Sequence, residues 1–274
     1  MTLNVGGPLL LVGAGKMGGA LLTGWLERGL NPEDVFIQDP APSGEVAELV
    51  KDKNIHLNAD VDALPGPPAV MVLAVKPQAM DAVLPPLKPL MTKGTVILSI
   101  AAGQTLAGME RHLGPDAAIV RSMPNTPAAI GRGITVACAN AHVSEAQKEH
   151  CDALLRAAGS VAWTQDEAVL DPVTAVSGSG PAYVFLLAEC LEQAGIEAGL
   201  DPELARRLAC ETLSGAGELL RRADLPAAEL RKNVTSPGGT TAVALEILMG
   251  EDGLQQLMTR AVKAATKRSR ELSS

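Results

Sequence analysis

Short apolar runs that recur through the first half of the chain constrain its fold more than any other feature of the sequence. Most of them are rich in Val, Ile and Leu and are bounded by Gly, Pro or Asp. Such runs are typical of buried parallel strands, which crossover helices connect. We therefore predict an α/β fold with a doubly wound sheet, whose strands are 9–12, 35–37, 70–75, 96–100, 117–120, 134–138 and 160–163. Between the last two strands we predict a helix over 144–158, with Ser144 as its N-cap.

The second half of the chain has a helical pattern, and we predict no strand after about residue 171. Gly180-Pro181 begins a long apolar helix that Gly199 ends, and Asp201-Pro202 supplies the N-cap and first-turn proline of the next helix. The first of these helices is apolar on nearly every side, so we expect it to be buried all round, in part against a partner subunit. Further helices are predicted at 225–232, from about 240, and from 254 to the C-terminus.

Composition and charge exclude several classes of protein. The chain has 274 residues, of which 47% are hydrophobic, enough to build a sizeable core. Its net charge of -8 gives no electrostatic case for nucleic acid, and no apolar run is long enough to span a bilayer. The four cysteines match no metal-binding spacing, and the N-terminus lacks the basic region of a signal peptide. We therefore predict a cytoplasmic protein with reduced thiols and no metal site.

A glycine motif follows the first predicted strand. Gly13-Ala-Gly15-Lys-Met-Gly18 has the spacing of a dinucleotide-binding loop, and the residues behind it can form a helix. In such loops the first glycine permits a tight turn, the second lets a pyrophosphate approach the backbone, and the third lets the helix pack on the strand. The alternative is a plain strand–turn–helix with chance glycines. The residues predicted to contact a cofactor here are Val12, Gly13, Ala14, Gly15, Lys16, Met17 and Gly18.

Asp39 ends the second predicted strand, 21 residues after Gly18. A carboxylate at this place usually bonds the 2′-hydroxyl of the adenine ribose and repels a 2′-phosphate, which favours NADH. No Arg follows closely that could hold a 2′-phosphate, since the next basic residue is Lys51. Asp39-Pro40 could equally be a turn whose carboxylate faces solvent.

Two loops after later strands are predicted to line the same cofactor crevice, because ligands of open α/β sheets bind outside the carboxyl ends of the strands. Lys76 in the first loop could equally be a surface lysine, although the proline behind it favours a fixed loop shape. The residues of the two loops are Ala74, Val75, Lys76 and Pro77, and Ala101, Ala102 and Gly103.

Four segments carry a more specific pattern: A-V-K-P at 74–77, R-S-M-P-N-T-P at 121–127, A-V-S-G-S-G-P-A-Y at 175–183 and N-V-T-S-P-G-G-T-T at 233–241. Together with the glycine loop they resemble the pyrroline-5-carboxylate reductase family, over about residues 9–272. The combination of the last two segments is highly specific, whereas the glycine loop alone would not be.

The resemblance implies a reduction of 1-pyrroline-5-carboxylate to L-proline by hydride transfer from NADPH or NADH, the last step of proline biosynthesis. It implies a dinucleotide-binding Rossmann domain, which we place at 1–168, and a helical dimerisation and substrate-binding domain at 169–274. Members form intertwined homodimers, which often assemble into decamers.

The resemblance also implies the roles of site residues. In the family, the S-P-G-G-x-T loop holds the substrate carboxylate and its last Thr, here Thr241, hydrogen-bonds the ring nitrogen. In the family, the segment 123–127 lies by the nicotinamide, and Met123, Pro124 and Asn125 of this segment are added to the predicted cofactor-binding residues. The predicted substrate-binding residues are Asp224, Asn233, Val234, Ser236, Gly238, Gly239, Thr240 and Thr241, of which Thr241 is the catalytic one.

The residues themselves are consistent with these roles. Gly238-Gly239 permits a concave backbone, and a helix that begins at Thr240 or Thr241 adds amide donors suited to a carboxylate. A linker would tolerate the same composition, although it would not require a helix directly behind it. The absence of Lys from 149 to 231 argues against a 3-hydroxyacid dehydrogenase, which uses a Lys for the alcohol proton.

Two alternatives and two departures from the family pattern stay open. The chain could reduce another small oxo or imino acid, or it could bind a dinucleotide as a sensor without turnover. Many family members carry an acid just before the position of Asn233, where this chain has Lys232. Family members often have an Asn shortly before the position of Asp62, where this chain has Asp60-Val61. With Asp39, this puts a preference for NADPH in doubt.

Overall fold

The structure, a computed structural model, describes residues 2–59 and 64–273, so Asp60-Val61 and Asp62 lie outside the described residues. The first part of the chain forms one sheet with the strand order β3-β2-β1-β4-β5-β6-β7-β8. Neighbouring strands pair in parallel except β6 and β7, which are antiparallel. The strands are β1 Leu9–Val12, β2 Val35–Gln38, β3 His56–Leu57, β4 Val70–Leu73, β5 Val96–Ser99, β6 Ala118–Met123, β7 Gly133–Ala139 and β8 Gly159–Thr164.

This sheet confirms the predicted α/β class and all seven predicted strands. Its first six strands have the order 3-2-1-4-5-6 of a Rossmann fold, which reverses direction between β1 and β4. The sequence analysis missed β3, because two residues are too few to show an alternating pattern. His56 of β3 lies flat on Phe36 of β2, with ring centroids 4.4 Å apart.

Helices cover both faces of the sheet. Within β1, Leu9 and Leu11 point into one apolar cluster and Leu10 and Val12 into the other. Trp25 lies in the first cluster, where its indole N–H donates to the carbonyl of Leu154 over 2.9 Å. The helices on the first face are α1 Lys16–Glu27, α2 Gly44–Lys53 and α5 Glu145–Arg156, and those on the second are α3 Met80–Leu87 and α4 Leu106–Leu113.

The helix predicted before β8 begins as expected. Ser144 accepts the backbone N–H of Gln147, and the Gln147 side chain accepts the backbone N–H of Ser144 over 2.9 Å. This reciprocal capping box satisfies two amides that the first turn of a helix leaves open. It fixes the start of α5, which packs its buried residues on the sheet.

The chain divides into two compact units, Met1–Gly178 with Thr266–Ser274, and Ser179–Ala265. This division falls later than the domain boundary predicted after residue 168. The reason is that Leu170, in the short helix α6 Leu170–Val173, is buried in the second apolar cluster of the sheet. The residues up to Gly178 therefore belong to the sheet unit.

The second unit consists of helices, as predicted. Asp201 caps one of them by accepting the backbone N–H groups of Glu203 and Leu204, and Gly199 before it has a φ of 97°. The helices are α7 Gly180–Glu197, α8 Pro202–Arg222, α9 Ala227–Asn233, α10 Thr240–Leu248 and the first part of α11 Leu254–Ser273. Among the described residues, no helix combines the length and apolar character that crossing a membrane requires.

The expected burial of α7 is not met within one chain. None of its residues is buried, and Phe185 is 63% exposed. The side chains that the sequence analysis expected to be covered are therefore left open on this unit.

Candidate functional site

The glycine loop joins β1 to α1 and needs its glycines for two different reasons. Gly13 has a φ of 92°, and a Cβ there would lie 2.7 Å from the carbonyl oxygen of Ala74. A Cβ at Gly18 would collide with the carbonyl oxygen of Gly13. At Gly15, by contrast, no heavy atom of the described residues, apart from its own neighbours along the chain, lies within 4 Å of the place that a Cβ would take. The loop is thus closed beneath Gly13 and Gly18 and open at Gly15, where a pyrophosphate would approach.

The amino end of α1 faces this opening. Gly15 is its N-cap, and no side chain satisfies the first amide groups of the helix. Free amides and the helix dipole favour an anion at this place. A cavity of about 480 Å³ opens beside the loop, lined by Gly15, Lys16, Ser43 and Glu45 among others.

Asp39 lies at the end of β2 and turns its carboxylate to the glycine loop. One carboxylate oxygen accepts the N–H of Ala14 over 2.6 Å, and the other accepts the N–H of Ala41 over 2.8 Å. Asp39 therefore closes a turn through its bond from Ala41 and also contacts the glycine loop, and its contact with a ribose stays a prediction. The sequence analysis missed Asn58, whose side-chain amide holds the backbone of Asp39.

The loops after β4 and β5 lie at the same edge of the sheet, because β1, β4 and β5 are parallel neighbours. Ala74 packs its backbone under Gly13, and Gln104 donates to the carbonyl of Pro77 over 3.4 Å, which links the two loops. Lys76 is exposed, as expected for a surface lysine. Gly103 has a φ of 76°, and a Cβ there would lie 3.1 Å from the carbonyl oxygen of Leu272.

Asn125, in the segment after β6, contacts the turn Thr174–Gly178, which was not among the predicted site residues. The Asn125 side chain accepts the N–H of Ile134 over 2.9 Å and donates to the Ser177 hydroxyl over 3.2 Å. A Cβ on Gly178 would lie 2.5 Å from the methyl group of Met123. Ser177 and Gly178 belong to a single π-helical turn, Thr174–Gly178, a type of turn that is frequent at functional sites. The signal for both residues was the S-G-S-G motif.

A partly buried ion pair connects β6 to the start of α4. The Arg121 guanidinium, 6% exposed, donates to a carboxylate oxygen of Glu167 over 2.7 Å, and the same oxygen accepts the N–H of Leu106 over 2.8 Å. Burial, followed by the nearby Glu167 charge, raises the pKa of the Cys138 thiol, which pairs with Arg121 across the sheet. Cys138 is therefore held as a thiol and is a poor nucleophile.

The segment 236–241 lies in the helical unit between α9 and α10. Gly238 has a φ of 69°, and the N–H of Gly239 donates to the carbonyl of Ser236 over 3.0 Å, which closes a tight turn. Gly239 is the N-cap of α10 and carries no side chain to satisfy the first amides of that helix. Ser236 and Thr240 are exposed, and Thr241 is half-buried in the first turn. The turn therefore has free backbone amides and hydroxyls close together in the chain. This combination favours a carboxylate-binding turn over a simple linker segment.

The remaining predicted substrate residues lie before this turn in the chain. Asn233 is the last residue of α9, and Val234 after it is 69% exposed. Asp224 is exposed between α8 and α9, and within the described residues its carboxylate makes no hydrogen bond or ion pair. These three residues stay predictions, as do the other predicted substrate-binding residues.

A larger cavity, of about 880 Å³, lies elsewhere on the sheet unit. Thr92, Lys93 and Thr95 line it before β5, and Gly114 and Asp116 line it before β6. These are the amino ends of the strands, whereas the glycine loop lies at their carboxyl ends. In the part of the chain that is described, no group of three His, Cys, Asp or Glu residues could hold a metal ion.

Comparison with known proteins supports the family predicted from the sequence motifs. Residues 167–272 match the sequence model of the family "Pyrroline-5-carboxylate reductase dimerisation", and residues 9–103 match that of "NADP oxidoreductase coenzyme F420-dependent". The pyrroline-5-carboxylate reductase of Pseudomonas aeruginosa is 41% identical over 271 residues, which covers 97% of this chain and 96% of the relative.

Two solved structures are similar over nearly their whole length. The pyrroline-5-carboxylate reductase of Coxiella burnetii superposes with a TM-score of 0.90 at 33% identity, covering 98% of this chain and 99% of the other. The Plasmodium falciparum pyrroline carboxylate reductase, solved with NADP bound, superposes with a TM-score of 0.83 at 31% identity and covers the same shares.

Proposed function

This chain belongs to the pyrroline-5-carboxylate reductase family and reduces 1-pyrroline-5-carboxylate to L-proline with NADPH or NADH, the last step of proline biosynthesis; we propose that the glycine loop binds the dinucleotide and that the segment 236–241 binds the substrate.

The residues of the sheet unit fit a dinucleotide. The open space above Gly15 and the free amides of α1 would hold the pyrophosphate, and Asp39 would meet the adenine ribose. The loops after β4 and β5, with Met123, Pro124 and Asn125, would line the rest of the crevice. When bound, the cofactor supplies the hydride for the carbon of the C=N bond.

The turn at 236–241 carries the substrate half of the proposal. The free backbone amides at the start of α10 and the Ser236 hydroxyl would donate hydrogen bonds to the substrate carboxylate. Gly238, with a φ of 69°, keeps the backbone concave. Thr241 would hydrogen-bond the ring nitrogen and fix the orientation of the ring. A protonated imine brings its own proton to nitrogen, so Thr241 needs no base beside it. This tight turn at the start of α10, with an N-cap that has no side chain, is the observation that carries the proposal.

The enzyme oligomerises, and the helical unit has the surface for it. A homodimer is the proposed state, and assembly of dimers into a decamer is a further proposal. The exposed apolar side chains that support association include Val184, Phe185, Leu186, Leu187, Leu191, Leu204, Leu208, Val243, Ile247 and Leu248. Sedimentation velocity would give twice the 28.3 kDa chain mass for a dimer and ten times that mass for a decamer, and a monomer would refute both.

The location that we propose is the cytoplasm. All four cysteines are free thiols, as is usual in a reducing compartment. Fractionation of cells that express the full chain would test this, and recovery outside the cytoplasmic fraction would refute it.

Steady-state oxidation of NADH and of NADPH with 1-pyrroline-5-carboxylate tests the reaction. We expect turnover with at least one of the two cofactors. Turnover only with another cyclic imine would assign a different substrate, and tight cofactor binding without any turnover would favour a sensor.

A further inference from the structure

The end of β2 is held in an unusual way. β2 and β3 pair over two positions only, Phe36 with His56 and Ile37 with Leu57. At Asn58 the backbone turns out of the strand with a φ of 49°. The N–H of Asn58 still donates to the carbonyl of Ile37 over 2.7 Å, but the backbone cannot pair any further.

The side chain of Asn58 continues the pairing that its backbone ends. Its carbonyl oxygen accepts the N–H of Asp39 over 2.8 Å, and its NH₂ group donates to the carbonyl of Asp39 over 2.7 Å. An amide side chain has both a donor and an acceptor, so Asn58 satisfies both backbone polar groups of Asp39 at once. The backbone of Asp39 is thereby fixed beyond the last residue of β2.

A fixed backbone at Asp39 decides where its carboxylate lies. Each carboxylate oxygen accepts one backbone N–H, from Ala14 over 2.6 Å and from Ala41 over 2.8 Å. Each oxygen keeps a lone pair that could accept a ribose hydroxyl, and the negative charge stays beside the glycine loop. The segment from Pro40 to Val50 contains no Lys or Arg that could offset this charge for a 2′-phosphate.

The structure assigns Asn58 as a positioning residue that holds the Asp39 carboxylate against the glycine loop and so sets a preference for NADH over NADPH. This assignment rests on the proposed function and deepens its cofactor half. Asn58 acts through Asp39 and does not itself contact the cofactor. Removing its side chain should therefore weaken binding of the cofactor that has a free 2′-hydroxyl and leave the 2′-phosphorylated cofactor less affected.

Isothermal titration calorimetry of the full chain with NAD⁺ and with NADP⁺, without substrate, tests this. The variant is Asn58→Gly, because glycine keeps the positive φ without strain and removes only the amide. Asn54→Gly is the matched control, since Asn54 also has a positive φ, of 56°, but ends α2. We expect the wild type to bind NAD⁺ more tightly, and Asn58→Gly to reduce the ratio of the two dissociation constants about tenfold, as for one lost charge-assisted hydrogen bond.

A double-mutant cycle with Asp39→Ser separates positioning from a general structural effect. If Asn58 acts through Asp39, the double variant should have the same ratio of dissociation constants as Asp39→Ser alone. Additive effects, an equal loss for both cofactors, or a wild-type preference for NADP⁺ would each overturn the assignment. Since binding is measured without turnover, a wild type that binds NAD⁺ but does not reduce the pyrroline would refute the reaction and leave this assignment standing.

Discussion

The sheet unit and the helical unit use apolar residues in opposite ways. All residues of β1, β4 and β5 are buried within a single chain, whereas α7, α9 and α10 contain no buried residue in the part of the chain that is described. A doubly wound sheet is covered by its own crossover helices, so one chain completes its core. The helical unit carries apolar side chains that only another surface can cover. The sheet unit therefore completes its own core, whereas the helical unit has an apolar surface that the proposed dimer would cover.

The largest effect should come from a cavity in the sheet unit. Trp25→Ala removes a fully buried side chain and its hydrogen bond to the Leu154 carbonyl. We expect the free energy of unfolding to fall by about 3–5 kcal/mol, measured by urea denaturation. Phe185→Ala, which truncates an aromatic that is 63% exposed, is the comparison. An equal or larger loss of sheet-unit stability for Phe185→Ala would break the contrast between the two units.

A charge on the helical unit should affect association instead. Phe185→Asp would place a carboxylate on the surface that we propose to be covered by a partner, and we expect a loss of about 2–4 kcal/mol in dimerisation, seen as monomer in sedimentation velocity. Ile130→Asp is the matched control, because Ile130 is 77% exposed on the sheet unit. If both variants or neither dissociate the assembly, association does not depend on the helical unit in particular.

The third prediction separates the two halves of the reaction. Thr241→Ala should lower kcat/KM for the pyrroline by about 10–100-fold, because one hydrogen bond to the reacting nitrogen is lost. The dissociation constant of the cofactor should not change, since Thr241 belongs to the helical unit and the glycine loop to the sheet unit. Thr241→Ser keeps the hydroxyl and should retain most of the activity. An unaltered rate for Thr241→Ala would remove Thr241 from the mechanism.

The last effect concerns a thiol in the sheet core and is expected only at high pH. Burial raises the pKa of Cys151 from 9.0 to about 12. The folded chain therefore keeps this proton more tightly than the unfolded chain, and its contribution to stability is complete below pH 9 and is lost as pH rises towards 12. We expect the urea midpoint of the sheet unit to fall over this range, and to fall less in Cys151→Ala. If the urea midpoint falls equally steeply with pH in the wild type and in Cys151→Ala, a group other than Cys151 is responsible.

Much of the fold could be predicted because its signals are local. The glycine spacing at 13–18, the Ser144 cap and the Asp201-Pro202 helix start each depend on residues within one turn of each other. β3 was not predicted because its signal is not local: a two-residue strand forms only because β2 lies beside it. The burial expected for α7 is not reached within one chain, and burial against a partner subunit stays a prediction, because an apolar pattern indicates that a surface is covered but not which surface covers it.

The site shows the same division between local and distant information. From the sequence alone, the residues that could bind a dinucleotide and a carboxylate could be predicted, because glycine, helix starts and hydroxyls confer those capacities locally. The tertiary structure was needed to show that Asp39 faces Ala14, 25 positions away, that Asn125 contacts Ser177, 52 positions away, and that Asn58 holds Asp39. These contacts depend on the register of neighbouring strands and on the packing of one loop over another, which hydrophobic periodicity does not encode.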